Sequence, residues 1–252
     1  VVEAVQSASM EDILILPAAV AIDLVIGEYP APLHPVVWMG QLITWQLKLA
    51  PRWGRSLQFA YGVVTVVVAM ALFAVPIYYL LSYLSAVSVW AYVAVAALLL
   101  KSSFSFKELH RAVSRVEGWL DDGNLEKARI EVGYIVSRDT RNLDKPHVVS
   151  AAVEVATESV TDSLVAPLFY FLLFGVPGAV AYRVVNTFDA RVGYHGKYEY
   201  LGKYAARFDD VLNFIPARIS GILLVASAFL ARMDGRRAWH IMFRDHARTA
   251  SP

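Results

Sequence analysis

Residues 57–81, LQFAYGVVTVVVAMALFAVPIYYLL, carry no charge, and a second uncharged run occupies 84–100. A helix needs about 20 apolar residues to cross a bilayer, so the pair predicts a transmembrane helical hairpin with its loop at 82–86. Tyr78 and Tyr79 suit a headgroup belt. Core helices of a soluble protein are the competing reading, and uncharged runs of this length disfavour it. Upstream, 13–26 is apolar but short and broken by Asp23. A Pro-rich loop, 28–35, follows, and then an amphipathic or interfacial helix over 36–49 with Trp38 and Trp45.

Downstream the pattern turns polar. Leu109, Ala112, Val113, Val116, Trp119 and Leu120 recur at helical spacing. Asp121-Asp122-Gly123-Asn124 reads as a turn, and 125–136 resumes a helix. A further helix over 146–162 runs into the apolar segment 163–182. That segment holds the breaker Gly175-Val176-Pro177-Gly178. Residues 186–218 are polar and 219–231 apolar but short. No stretch alternates as a strand. The expectation is an all-α, polytopic integral membrane helical bundle, one membrane domain over 10–252 with a helical insertion at 101–162. Residues 1–9 fit nothing downstream and read as an extension ahead of Met10.

Composition agrees: 57% of residues are hydrophobic and 18% charged, and the net charge is +1. Near-neutrality argues against a nucleic-acid partner held through phosphates. With no cysteine, thiolate chemistry, disulfides and Cys-ligated metal centres are excluded.

Nine basic residues from Lys101 to Lys145 predict a cytosolic insertion, since Lys and Arg favour that side. A single crossing by 163–182 would put Arg183, Arg191, Lys197, Lys203 and Arg207 outside. The segment 163–185 is therefore expected to be a broken, re-entrant helix pair turning at Gly175–Gly178. Irregular backbone at that depth must be buried in protein or line a cavity. For 219–231 both readings, crossing and not crossing, stay open.

Four constellations could carry chemistry: Ser137-Arg138-Asp139-Thr140; Glu154, Glu158 and Asp162; Asn186-Thr187-Phe188-Asp189 with Val192-Gly193-Tyr194; and Arg207, Asp209, Asp210, Asn213 and Arg218. Spacing by four puts the three acids on one helical stripe. Their mutual repulsion points to a neutralising cation, magnesium with phosphates being a natural candidate. For each constellation a structural ion pair or helix cap at the membrane edge is the alternative. His34 could be a ligand or proton carrier, though a capping or packing role is the commoner one. No P-loop motif is present.

In this order, these residues resemble the adenosylcobinamide-phosphate synthase (CobD/CbiB) family of cobalamin biosynthesis. The resemblance begins at Asp23-Leu24, Gly27-Glu28-Tyr29-Pro30, His34-Pro35-Val36 and Gly40. It continues through Arg138-Asp139-Thr140, Glu154, Glu158, Asp162, Ala166-Pro167-Leu168-Phe169, Pro177-Gly178-Ala179, Tyr182, Asn186-Thr187 and Asp189. It is densest over Ala206–Arg218. The chain departs at Glu28, where the family usually has Asp, at Ser159 (Asn), at Ser137 (Gly), and near Val37, where an Arg is usual. Its end at Ser251-Pro252 stops short of a further family motif, so the sequence looks truncated.

The resemblance implies an amide-forming ligase. It would join adenosylcobyric acid to aminopropanol or aminopropanol phosphate with ATP and Mg2+, through an acyl-phosphate intermediate. Glu154, Glu158 and Asp162, with Asp209 or Asp210, would hold the metal. Arg138, Arg207 and Arg218 would bind phosphates, and Asp139 or Asp189 would take the proton of the attacking ammonium. Asn186 and Asn213 would orient corrin amides. Glu158 and Asp210 are expected to be required for turnover. The implied partners are the lipid bilayer, the corrinoid and the amino alcohol; a homo-oligomer is compatible. The implied place is the cell membrane, multi-pass, with the site facing the cytoplasm. One rival is a non-catalytic membrane sensor or corrinoid-binding relative, and another is a small transporter, for which internal symmetry is lacking.

Overall fold

The computed structural model describes residues 10–51, 54–136, 139–193 and 198–245, the side chains of 10–12 and 245 excepted. Within them every regular element is helical: α1 (Met10–Ile26), α2 (Pro35–Lys48), α3 (Arg55–Val87), α4 (Val89–Lys101), α5 (Phe106–Asp121), α6 (Leu125–Ile135), α7 (Lys145–Val160), α8 (Ala166–Val192), α9 (Glu199–Leu230) and α10 (Gly235–Asp245). Four helical stretches are long and apolar enough to cross a membrane: Arg55–Val87, Val89–Asp121, Lys145–Val192 and Glu199–Leu230. The all-α membrane architecture expected from the sequence is the one observed.

α3 has 33 residues, about 50 Å at 1.5 Å per residue. The expected loop at 82–86 is part of this helix, because nothing in Ser82–Val87 breaks it. The interruption is Ser88 alone, extended at φ −160°, whose hydroxyl accepts the Ala91 N–H and caps α4. The main core gathers Ile15, Met39, Ile43, Val66, Ala97 and Leu100 with Phe171, Val180 and Val184. A second cluster, Val116, Ala128, Val132, Val148, Ala151 and Ala152, holds the insertion α5–α7 together.

The apolar segment 219–231 is no separate element. It completes α9, a continuous helix of 32 residues that also carries the polar motif 207–218. Leu224 lines a groove of about 450 Å³ with Val113 and Val116 of α5 and Val149 and Val153 of α7. The end of α9 thus packs beside the insertion.

α8 is two helical arms that meet at a kink. Gly175 adopts φ 66°, ψ −164°, a region open essentially to glycine. Across this break the Tyr170 and Tyr182 rings stack with centroids 5.3 Å apart. Twelve residues of straight helix would separate them by about 18 Å. The chain therefore doubles back at Gly175, and the stretch Lys145–Val192 is a folded rod. Its arms, 145–174 and 176–192, run about 45 and 26 Å at 1.5 Å per residue. This is a broken helix pair, with the turn at the position the breaker marks.

Candidate functional site

The hairpin brings two segments to one level. Asn186 Nδ2 donates to Asp162 Oδ2 at 3.2 Å, and Arg183 Nη1 donates to Asn186 Oδ1 at 3.1 Å. α9 adds a second acid from the other side. Asn213 Nδ2 donates to Asp209 Oδ2 at 2.8 Å, and the Tyr182 hydroxyl donates to Asn213 Oδ1 at 2.9 Å. Asp209 and Asn213 are four apart on α9 and both buried, which puts them on one inward face. The charges of Asp162 and Asp189 act on Asp209, and those of Glu158 and Asp189 act on Asp162.

The network is incompletely satisfied. Asp209 Oδ1 and Arg183 Nε are buried and have no hydrogen-bond partner in the protein. Buried polar atoms are ordinarily paired, and an unpaired one costs about 1–3 kcal/mol. Polar groups left open beside membrane helices are expensive and mark function by default.

A second polar cluster adjoins the first, built by the N-terminal motif. Gly27, at φ 78°, ends α1 with its N–H on the Asp23 carbonyl, and so delivers Glu28. His34 caps α2: its Nδ1 accepts the Val36 N–H at 3.2 Å, with Pro35 at the first helical position. Nδ1 being an acceptor, the proton of neutral His34 lies on Nε2, which donates to Glu28 Oε2 at 2.6 Å. Ser105 Oγ donates to Glu28 Oε1, and Lys101 Nζ stands 3.2 Å from the same oxygen. Burial works against the Glu28 carboxylate, but the His34 and Ser105 hydrogen bonds and the Lys101 charge outweigh it and hold its pKa down to about 2.

Lys101 is fully buried, 3.6 Å from equally buried Asp23 and 4.7 Å from the centroid of the Tyr29 ring. Asp23 Oδ2 also accepts the Phe106 and Lys107 N–H groups at 3.2 and 2.9 Å, capping α5 from another helix. Lys107 Nζ returns the contact to the Leu24 and Val25 carbonyls at 2.7 and 3.0 Å. α1 and α5 thus cap each other. The Ser105 N–H donates to the Ser163 carbonyl beside Asp162 at 3.2 Å, and the Glu28 charge reaches Arg183. The two clusters form one polar tract where the insertion joins the bundle.

The sequence-derived residues divide accordingly. Asp162, Asn186, Asp209 and Asn213 come together, with Asp189 in electrostatic reach. His34 lies in the adjoining cluster, as cap and orienting donor. Glu154, Glu158 and Asp210 are exposed, although Glu158 acts on Asp162 and Asp210 on Asp189. Among the described residues, no three of His, Cys, Asp and Glu form a metal-holding group. The five acids expected to share a metal do not assemble as one set. Glu154 and Glu158 lie on the exposed side of α7, whereas Asp162, in the π-turn Thr161–Val165, meets Asn186. Asp209 and Asp210, being consecutive on a helix, point about 100° apart.

Asp139 is exposed, its carboxylate taken by Arg141 Nη2 at 2.7 Å. Arg138 and Ser137 lie outside the described residues. Arg207 is exposed; Arg218 turns back onto its own helix, over the Phe214 ring and onto the Phe214 carbonyl. The guanidinium at the acids is Arg183, whose place after an apolar segment signals only topology in the sequence. Lys101 likewise reads in the sequence as the first cation of a basic loop. Its signal was its place in the last turn of an uncharged helix, directly before Ser-Ser-Phe-Ser.

No solved structure matches this chain. A cobalamin biosynthesis protein CobD of Dehalococcoides mccartyi (strain CBDB1) is 49% identical over 96% of this chain and 79% of its own length. Probable cobalamin biosynthesis proteins CobD of Methanothermobacter thermautotrophicus and Pyrococcus furiosus are 39% and 45% identical, over 96% and 84% of this chain and 79% and 72% of their own lengths. The family described as CobD/Cbib protein matches residues 16–252, a range that takes in both polar clusters, the folded α8 and all of α9, so the chain belongs to the CobD/CbiB family of cobalamin biosynthesis.

Proposed function

We propose that this chain is the amide-forming enzyme of that pathway, joining the carboxylate of adenosylcobyric acid to aminopropanol or aminopropanol phosphate with ATP and Mg2+. The observation that carries the reading is the meeting of Asp162, Asn186, Arg183 and Asp209, from two arms of a hairpin and a third helix, with open valences on Asp209 and Arg183.

A carboxylate is a poor acyl electrophile and must be activated. Its oxygen attacks the terminal phosphorus of ATP and ADP leaves. The substrate ammonium gives up one proton, its nitrogen attacks the acyl carbon, inorganic phosphate leaves, and a second proton is lost from nitrogen. The donor set suits magnesium, which takes one or two carboxylates and completes its shell with phosphate oxygens. Asp162 and Asp209 would hold it, and the metal would neutralise phosphate charge. Arg183 offers its fork to a phosphate or to the corrin carboxylate. Asn186 holds Asp162, and Asn213 with Tyr182 holds Asp209. Asp189, half-buried and within reach of both acids, is the base for the ammonium proton. Its position where the basic insertion joins the bundle supports a site opening to the cytoplasm.

The test is amide formation by the full chain in lipid nanodiscs, supplied with adenosylcobyric acid, aminopropanol phosphate, ATP and Mg2+. Product formed with one ADP released per amide is the expected result. Corrinoid binding with no ADP release would favour a non-catalytic relative.

A further inference from the structure

We propose that Ser105 is a positioning residue: it ties the Glu28 cluster to the π-turn that carries Asp162, and so sets where that carboxylate stands. The inference rests on the reading of Asp162 as a metal-holding acid.

The π-turn has an opening for an outside donor. The Ala166 N–H bonds to the Thr161 carbonyl, five residues back, where an α-helix would use the fourth. Pro167, four positions after Ser163, has no N–H to complete the α-helical bond to the Ser163 carbonyl. That carbonyl accepts the Ser105 N–H at 3.2 Å, a donor from the junction of α4 and α5. Asp162, the residue before Ser163, meets Asn186 at 3.2 Å. Single π-turns inside helices are frequent at functional sites.

Ser105 is itself held from three other elements. It stands at the N-cap of α5, extended at φ −149°, ψ 91°, yet its hydroxyl does not cap that helix. A serine there ordinarily turns its oxygen to its own helix. Asp23 of α1 takes over that task, accepting the Phe106 and Lys107 N–H groups. The Ser105 hydroxyl is thereby released to donate to Glu28 Oε1. His34 Nε2, at the N-cap of α2, holds the other Glu28 oxygen at 2.6 Å. Lys101 Nζ, at the end of α4, stands 3.2 Å from the first. Glu28, His34 and Lys101 have no place in the amide-forming steps themselves. Their influence reaches Asp162 through two hydrogen bonds of one residue.

The test uses the full chain in lipid nanodiscs. Ser105→Ala removes the hydroxyl and leaves the backbone N–H; Ser105→Thr keeps both. Amide hydrogen exchange, followed by mass spectrometry with no metal or nucleotide added, should quicken about 10-fold over 161–166 in Ser105→Ala, the scale of one lost hydrogen bond. Ser105→Thr should keep the parent rate. The Mg2+ concentration giving half-maximal amide formation should rise about 10-fold in Ser105→Ala, as for loss of a group that orients a metal ligand, and return in Ser105→Thr. Unchanged exchange over 161–166 would overturn the proposal. So would an unchanged Mg2+ requirement beside a smaller amount of folded enzyme, the mark of a merely structural residue. Asp162→Asn separates the two claims. If it leaves the Mg2+ requirement at the parent value, the metal reading of Asp162 fails, and the exchange measurement still decides the tie to Ser105.

Discussion

Asp162 and Asn186 are 24 positions apart in sequence, yet the Asn186 amide donates to the Asp162 carboxylate at 3.2 Å. A straight helix would hold them about 36 Å apart. The contact exists because Gly175 reverses the chain midway, and Asp162–Asn186 and Tyr170–Tyr182 are successive rungs of one antiparallel helical pair. Asn186→Ala removes the rung nearest the acids. Amide formation is expected to fall about 100-fold, the scale of a misplaced catalytic group, with the protein still folded by thermal melting in detergent.

Gly175→Ala tests the turn itself. A side chain at φ 66°, ψ −164° adds about 1–3 kcal/mol of strain. The variant is expected to melt at lower temperature and to lose activity with it. Gly118, in the interior of α5, is the control, because a methyl group there would meet no neighbouring atom within 4 Å. Gly118→Ala should leave stability unchanged or slightly raised.

Lys101→Met strips a buried cation from Asp23 and Glu28. Leaving a buried carboxylate without its partner typically costs about 3–5 kcal/mol. Asp23→Asn added to Lys101→Met should restore part of the loss, measurable as a double-mutant cycle on denaturant or thermal unfolding. Strict additivity of the two changes would show that the pair is not coupled.

The Glu28 carboxyl, held near 2 by His34, Ser105 and Lys101 against the opposing effect of burial, makes stability depend on acid. A group depressed by folding stabilises above its unfolded pKa, about 4.3 for Glu, and that contribution is lost as pH falls from there towards 2. Melting temperature should therefore drop between about pH 4.5 and pH 2. Glu28→Gln should flatten the slope in that window and lower stability above it.

Much of this was legible in the sequence, and the misses share a cause. The uncharged run at 57–81 and the breaker at 175–178 announced a long apolar helix and a chain reversal, because both are local signals. The family motifs located Asp162, Asn186, Asp209 and Asn213. Glu154 and Glu158 share α7 with the approach to Asp162 but stay exposed, because spacing by four sets a stripe without saying which side of the helix the fold buries. Segment 219–231 was separated from 186–218 by composition, although no breaker stops α9 between them; Pro216 sits inside the helix. Lys101 and Arg183 escaped notice as site residues because basic residues near apolar segments ordinarily signal topology. Only the fold shows that these two face inward.

Isosteric removal of charge at the two buried acids probes the site most directly. Asp162→Asn and Asp209→Asn, in nanodiscs with adenosylcobyric acid, aminopropanol phosphate, ATP and Mg2+, should each lose about 100-fold or more in amide formation. Asp139→Asn, on the exposed carboxylate paired with Arg141, should stay within about 3-fold of the parent, as for a surface pair of little energetic weight. Full turnover in the Asp162 and Asp209 variants, with loss confined to Asp139, would contradict the account.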